Sequence, residues 1–262
     1  MKRDELVSAT PTSGIVRTRI DRHPALAGFS AFMGVLPLGV YWLAFSAFGA
    51  SQIPWKIALG LEIFCPVFVY VQYLMNRRSR RLYWEGAAAF VSLLPFWMAV
   101  GSHWFFYLGF APLPATVRSI ALSFGIVMTI VTIWMTWRNY ERATARLNLI
   151  HRMNAVGPNL LVYPDGLEAG VSMFERSWSW LPVPPASLVS AIGSVVVACA
   201  LLSGRVFDQA NGPHILFIML SVIGFPISCL FIGHFLVRVA YFHIYLPIKI
   251  ERETGKKVIL GP

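Results

Sequence analysis

Residues 138–186, RNYERATARLNLIHRMNAVGPNLLVYPDGLEAGVSMFERSWSWLPVPPA, form the only long segment of this 262-residue chain that is neither strongly apolar nor terminal. Four apolar runs precede the segment and two follow it, so it divides the chain. A hydrocarbon core about 30 Å thick takes roughly 20 apolar residues per helix. With 56% hydrophobic and 13% charged residues, the composition lies outside the range of ordinary soluble domains. The reading is an all-α polytopic membrane protein. Six transmembrane helices in a 4+2 arrangement are expected at about 25–50, 54–75, 86–110, 117–137, 187–202 and 215–237. The parts are then a tail (1–24), a four-helix membrane segment (25–137), a cytoplasmic segment (138–186), a two-helix membrane segment (187–243) and a second tail (244–262).

Within 138–186 the sequence predicts a helical extension and a β-hairpin between helices 4 and 5. Ala143, Ala145 and Leu147 favour helix, and no breaker occurs before Gly157-Pro158. Helix 4 is therefore expected to project about four turns, roughly 25 Å at 1.5 Å per residue. Arg138, Arg142 and Arg146 then share one face, suited to anionic headgroups. Residues 159–163 read as extended. Pro164-Asp165-Gly166 is turn chemistry: Pro presets φ, Asp bonds its own backbone and Gly accepts φ > 0. Residues 171–174 are expected to return antiparallel. Trp178 and Trp180 alternate at period two and face one way, as interfacial anchors or as part of a binding surface. Tyr163, Pro164, Asp165, Gly166, Trp178 and Trp180 are the candidate partner-docking residues. The C-terminal stretch 248–260 alternates around Thr254-Gly255, which suggests a second small hairpin able to pair with the first.

Charge sets the orientation. Six spans put both termini on one side, and 19 of the 22 Lys and Arg residues then fall on that side. Only Lys56, Arg118 and Arg205 fall on the other. Such asymmetry marks the cytoplasmic face. It also accounts for the net charge of +10 without nucleic acid, for which no binding motif is present. The basic tail leads into a full-length apolar run, not a short one with a small-residue cleavage site, so the first span is expected to be retained. Seventeen Arg against five Lys suggests a GC-rich bacterial genome, and the expected location is the bacterial inner membrane.

Chemistry has few places to reside. Glu62 is the only acid deep in an apolar run, where an ionisable group should face the bundle interior and find a partner. His103 lies at a similar depth on the antiparallel third span, so a buried Glu62–His103 pair is expected, either a structural hydrogen bond or a proton relay. His234 and Arg238, four apart, suit headgroup contact. Cys65, Cys199 and Cys229 lie in apolar runs without a CxxC partner or clustered His, so no metal or other cofactor is expected. The acids are too scattered for a convincing enzyme site. The functional expectation is an inner-membrane subunit or scaffold of an envelope assembly (a secretion, transfer or export machine), docking protein partners through its cytoplasmic segment. The alternatives are a small transporter or channel using Glu62 and His103, and a membrane enzyme acting on a lipid-like substrate. For the topology, a reporter active only outside the cytoplasm should be active when fused after Leu113 or Gln209. It should be silent after Ser79, Gly170 or Gly261, and activity after Gly170 would break the six-span arrangement.

Overall fold

The computed structural model describes residues 23–48, 51–76, 79, 81–110, 115–155, 158–164, 167, 171, 221 and 224–260. The protein is mostly helical, and four helices are long and apolar enough to cross a membrane, or five if one bent pair counts as a single span. The expected span at 187–202 and the start of the one at 215–237 lie outside the described residues.

Helices α1 (His23–Phe48) and α2 (Ile53–Asn76) run unbroken through Pro37 and Pro66 and pack along each other. The buried positions of α1 are His23, Ser30, Gly34, Pro37, Tyr41 and Ala44; those of α2 are Pro54, Ala58, Cys65, Val69 and Gln72. Both sets step by threes, fours and sevens, the spacing of a narrow helix–helix seam. Small side chains at the seam let the backbones approach, as suits packing in lipid. Phe32, Leu36, Ile63, Phe64, Val67 and Met75 point away from it and stay exposed. In hydrocarbon that surface carries no penalty.

The expected third span is not one helix. It consists of α3 (Leu82–Ser92), α4 (Leu94–Val100) and α5 (His103–Phe110). Pro95, in the first turn of α4, has no N–H to continue the ladder. Gly101-Ser102 interrupts it again, and α5 is bent by 56° from the helices before it. Ser102 repairs the second break in part: its carbonyl accepts the Phe105 and Phe106 N–H groups, and its hydroxyl donates to Met98 O at 2.8 Å. Trp104 and Phe106 of α5 turn inward and are buried.

Helix α6 (Ala115–Arg146) is long and apolar enough to cross a membrane, and it continues nine residues beyond Trp137 rather than four turns' worth. The reason is Asn148, which adopts a left-handed conformation with φ 48°. A 3-10 turn (Leu149–Arg152) then folds the chain back and drives Leu149 into the core, fully buried. At the other end of the chain α7 (Gly224–Thr254) runs 31 residues. It therefore overruns Val237, its expected end, by 17 residues, between four and five turns.

Two stretches of α7, Ile232–Val237 and Ala240–Tyr245, are π-helical. The second lies directly before Pro247, whose missing N–H leaves an i−4 carbonyl without its usual partner, and a widened turn accommodates that loss. The expected C-terminal hairpin does not form. Leu246, Pro247 and Ile250 share the buried face of a helix, and Gly255 (φ 70°) closes it with its N–H on Glu251 O at 3.0 Å. One strand follows, β3 (Lys257–Leu260).

That strand joins β1 (Asn154–Ala155) and β2 (Leu160–Tyr163) in a sheet ordered β1-β2-β3. β1 pairs antiparallel, Asn154 with Val162; β3 pairs parallel, Leu160 with Lys257 through Tyr163 with Leu260. Pairing between the C-terminal stretch and the Tyr163 strand is thus as expected from their shared side. The return strand expected at 171–174 lies outside the described residues except for Val171. A single core links the sheet to the helices: Leu82, Tyr140, Leu149, Tyr163, Phe242, Ile250 and Val258 pack together.

Gly86 of α3 permits this packing. A Cβ there would lie 2.5 Å from His243 O and 2.7 Å from His243 Cβ, so only glycine lets α3 and α7 meet at this distance. Gly86→Ala should destabilise the bundle by about 1–3 kcal/mol, the usual range for overpacking. Gly28→Ala, with nothing within 4 Å of the added carbon, should leave stability unchanged or slightly raised. Unfolding midpoints of the two variants in detergent check the contrast; equal midpoints would refute the packing argument.

Candidate functional site

The described polar chemistry gathers at one end of the bundle. His23 at the head of α1 meets Tyr73 near the end of α2, with ring centroids 6.4 Å apart. Gln72 Nε2 donates to Trp84 O at 2.6 Å, tying α2 to the head of α3. Arg81 forms an antiparallel bridge with Ile259 on the outer edge of β3. The ends of α6 and α7 and all three strands therefore lie at this same end.

Aromatic side chains make the junction between membrane helices and sheet. Trp137 sits edge-on to Tyr241 at 5.1 Å and to Tyr245 at 5.0 Å. Its Nε1 donates to Glu141 Oε1 at 3.3 Å, while Arg138 pairs with the other carboxyl oxygen at 3.2 Å. Tyr140, fully buried, donates its hydroxyl proton to Gly233 O at 3.1 Å, inside the first π-helical stretch. The phenol supplies a donor where the wide turn disturbs the regular ladder. Around the sheet, Arg81 Nη1 donates to Tyr83 OH at 2.9 Å, and Glu251 Oε1 accepts the Val258 N–H at 3.0 Å. Between them an open cleft of about 410 Å³ is lined by Tyr83, Ile248, Glu251 and Arg252.

The expected site residues fall unevenly on this frame. Arg138, Arg142 and Arg146 are exposed together on α6, opposite the buried Asn139, Tyr140, Ala143 and Thr144. His234 is exposed on α7 and Arg238 half-buried. Tyr163 does not offer a docking surface: it is 1% exposed, with its ring 6.2 Å from that of His243. Strand alternation turns it into the core. Pro164 beside it is half-buried. Asp165, Gly166, Trp178 and Trp180 lie outside the described residues.

Glu62 and His103 are each placed by α1, but at different levels. The Glu62 carboxyl lies against Gly34, and its Oε2 is buried without a hydrogen-bond partner among the described residues. His103 Nε2 is 2.8 Å from Ala99 O, and its ring lies 5.6 Å from that of Tyr41. Gly34 and Tyr41 are seven residues apart, about 10 Å along a helix axis, and no hydrogen bond or ion pair joins the two expected partners. The group that His103 does join contains Tyr41 and Ser102, whose hydroxyls are 2.8 Å apart. Depth counted along a straight third span could not find it, because the bend at Gly101 redirects His103. Among the described residues no group of three or more His, Cys, Asp and Glu side chains is placed to hold a metal ion.

Without residues 256–262 the β2 edge would be open and the place of Val258 empty. Burial of a Val side chain contributes about 1.5–3 kcal/mol, so the truncated protein should be cut faster by protease within 147–171 while its membrane helices stay protected. Mapping of the cleavage sites checks this; an unchanged rate would show that β3 does not hold the sheet.

Comparison with known proteins found no matching family model, no matching curated protein and no matching solved structure, so the geometry alone carries the functional reading.

Proposed function

We propose that the protein is a multi-pass subunit of a bacterial inner-membrane assembly, a secretion, transfer or export machine, which it joins through its sheet-bearing end. The observation that carries the reading is the shared core. Strands from two segments about a hundred residues apart in sequence close over the ends of α3, α6 and α7, and Tyr163 and Val258 share one buried core with Phe242, Ile250 and Leu82. Contact with headgroups alone would need basic side chains at the membrane boundary, not strands in fixed register. A sheet held rigidly on membrane helices presents a defined shape, which is what a protein partner reads. Its surface is set with exposed His151, Arg152, Asn159 and Lys257, which suits a partner with an acidic contact face. The basic asymmetry supports a cytoplasmic place for this end.

Two variants at matched membrane levels test the reading. Val258→Asp buries an unpaired charge in the core and should break the sheet. Membrane insertion should continue, because it follows the apolar length of the helices. Arg152→Glu combined with Lys257→Glu should leave the sheet folded and reverse its surface charge. Both should lose a partner that co-purifies stoichiometrically with the wild type in mild detergent. Retention of that partner by both variants, or no stoichiometric partner for the wild type, would sink the subunit reading.

A further inference from the structure

Glu62 is the only acidic residue of α2 and lies nine positions past its first residue, Ile53, about 13 Å along the axis at 1.5 Å per residue. It stands at the margin of the α1–α2 seam. Cys65 is buried within the seam, Ile63 and Phe64 face outward, and Glu62 itself is half-buried. The side chain folds inward across α1. Its carboxyl occupies the volume that a Cβ at residue 34 would fill, with Oε2 the nearest atom. Glycine at 34 thus makes a notch of the size of this head group and bares the α1 backbone beneath it.

Among the described residues no charge in the surroundings compensates a carboxylate there: Tyr83 and Glu85 of α3, which packs on both helices, flank Trp84 at the level of Gln72, near the far end of α2. On α1 the nearest titratable group along the seam is Tyr41, two turns from Gly34, with its hydroxyl engaged by Ser102. On α2 it is the buried Cys65. Helix α4, which packs on both, has the sequence LPFWMAV and brings none. His103, at the head of α5, is turned to Ala99 O. Oε2 has neither solvent nor a hydrogen-bond partner among the described residues. An ionised oxygen so placed loses its hydration with no return, whereas a neutral acid has an O–H that can donate to backbone.

We infer that Glu62 and Gly34 form a proton-binding site inside the membrane, in which the notch seats the neutral acid. Its ligand is the proton, exchanged with water, and ionisation removes the reason for the carboxyl to stay in the notch. The site is independent of the subunit reading, since it lies on the α1–α2 seam and not on the sheet.

The test uses the full chain in phospholipid vesicles. Dicyclohexylcarbodiimide, an apolar reagent that adds to neutral carboxyls and rearranges to a stable N-acylurea, should label Glu62 on peptide mapping. Labelling should fall as pH rises from mildly acidic to mildly alkaline, as proton release empties the site. In infrared spectra a neutral-acid carbonyl band should follow the same pH course, vanish in Glu62→Gln and shift in Gly34→Ala, whose methyl takes the seat. The proposal is overturned by absence of label on wild-type Glu62 throughout that pH range. A carboxylate band at every pH, or a neutral-acid band unmoved by Gly34→Ala, would overturn it equally. The label on the wild-type chain decides the matter even if a variant fails to accumulate. Partner co-purification in Glu62→Gln should be unchanged, which separates this result from the fate of the subunit reading.

Discussion

A backbone N–H or C=O in hydrocarbon must find its partner within the protein, because no water is there to supply one. The apolar helices of this protein follow that requirement where, among the described residues, they deviate. At Gly101-Ser102 the third span breaks, and Ser102 engages three backbone groups around the break through its carbonyl and hydroxyl. On α7 the first π-helical stretch is met by the Tyr140 hydroxyl at Gly233 O. The second precedes Pro247, where a regular turn would have required a missing donor. The deviations are thus furnished with polar side chains or placed beside the residue that causes them. Neighbouring helices also meet closely there, with Gly86 against the His243 carbonyl and Gly101 against Ser228.

The same accounting governs the ends of the helices, where water is available and the chain can turn. Asn148 ends α6 by taking a left-handed conformation, and Gly255 ends α7 the same way. These two reversals deliver β1, β2 and β3 to one place. The parallel register of β2 with β3 then depends on both helices stopping where they do. A further turn on either would displace the strands along the axis by about 5.4 Å, more than one residue step in a strand, and remove Val258 from the core. Helix termination is therefore the local event that decides whether the polar end of the bundle is a folded platform or two tails.

What could be read from the sequence follows from the range of each signal. Long apolar runs are set by bilayer thickness, so α1, α2 and α6 appear within a few residues of their expected places. The break at Leu93 and the bend at Gly101 depend on how α3 to α5 pack against α1 and α7, which hydropathy does not carry. The C-terminal segment was legible as to partner and not as to type. Basic residues on a common side pointed to pairing with the Tyr163 strand, yet the apolar spacing of Leu246, Pro247 and Ile250 belongs to a helix. Tyr163 has a similar lesson. Its place beside a turn suggested exposure, but the four-residue strand turns it inward, onto His243.

The Glu62–His103 expectation fails on geometry more than on chemistry. Depth along two helices constrains only one coordinate, and the other two are set by which residue of α1 each side chain meets. Gly34 and Tyr41 lie on the same seam, so both side chains point into the bundle as a buried polar group should. They are separated along it by two helical turns. A carboxyl of Glu length reaches across to α1 only where α1 has no side chain, and along this part of the seam that place is Gly34. The Tyr41 hydroxyl already has a partner in Ser102, and Ala44 would place a methyl in the way. The small residue that lets α1 and α2 pack closely thus also fixes where the one acid of α2 comes to rest.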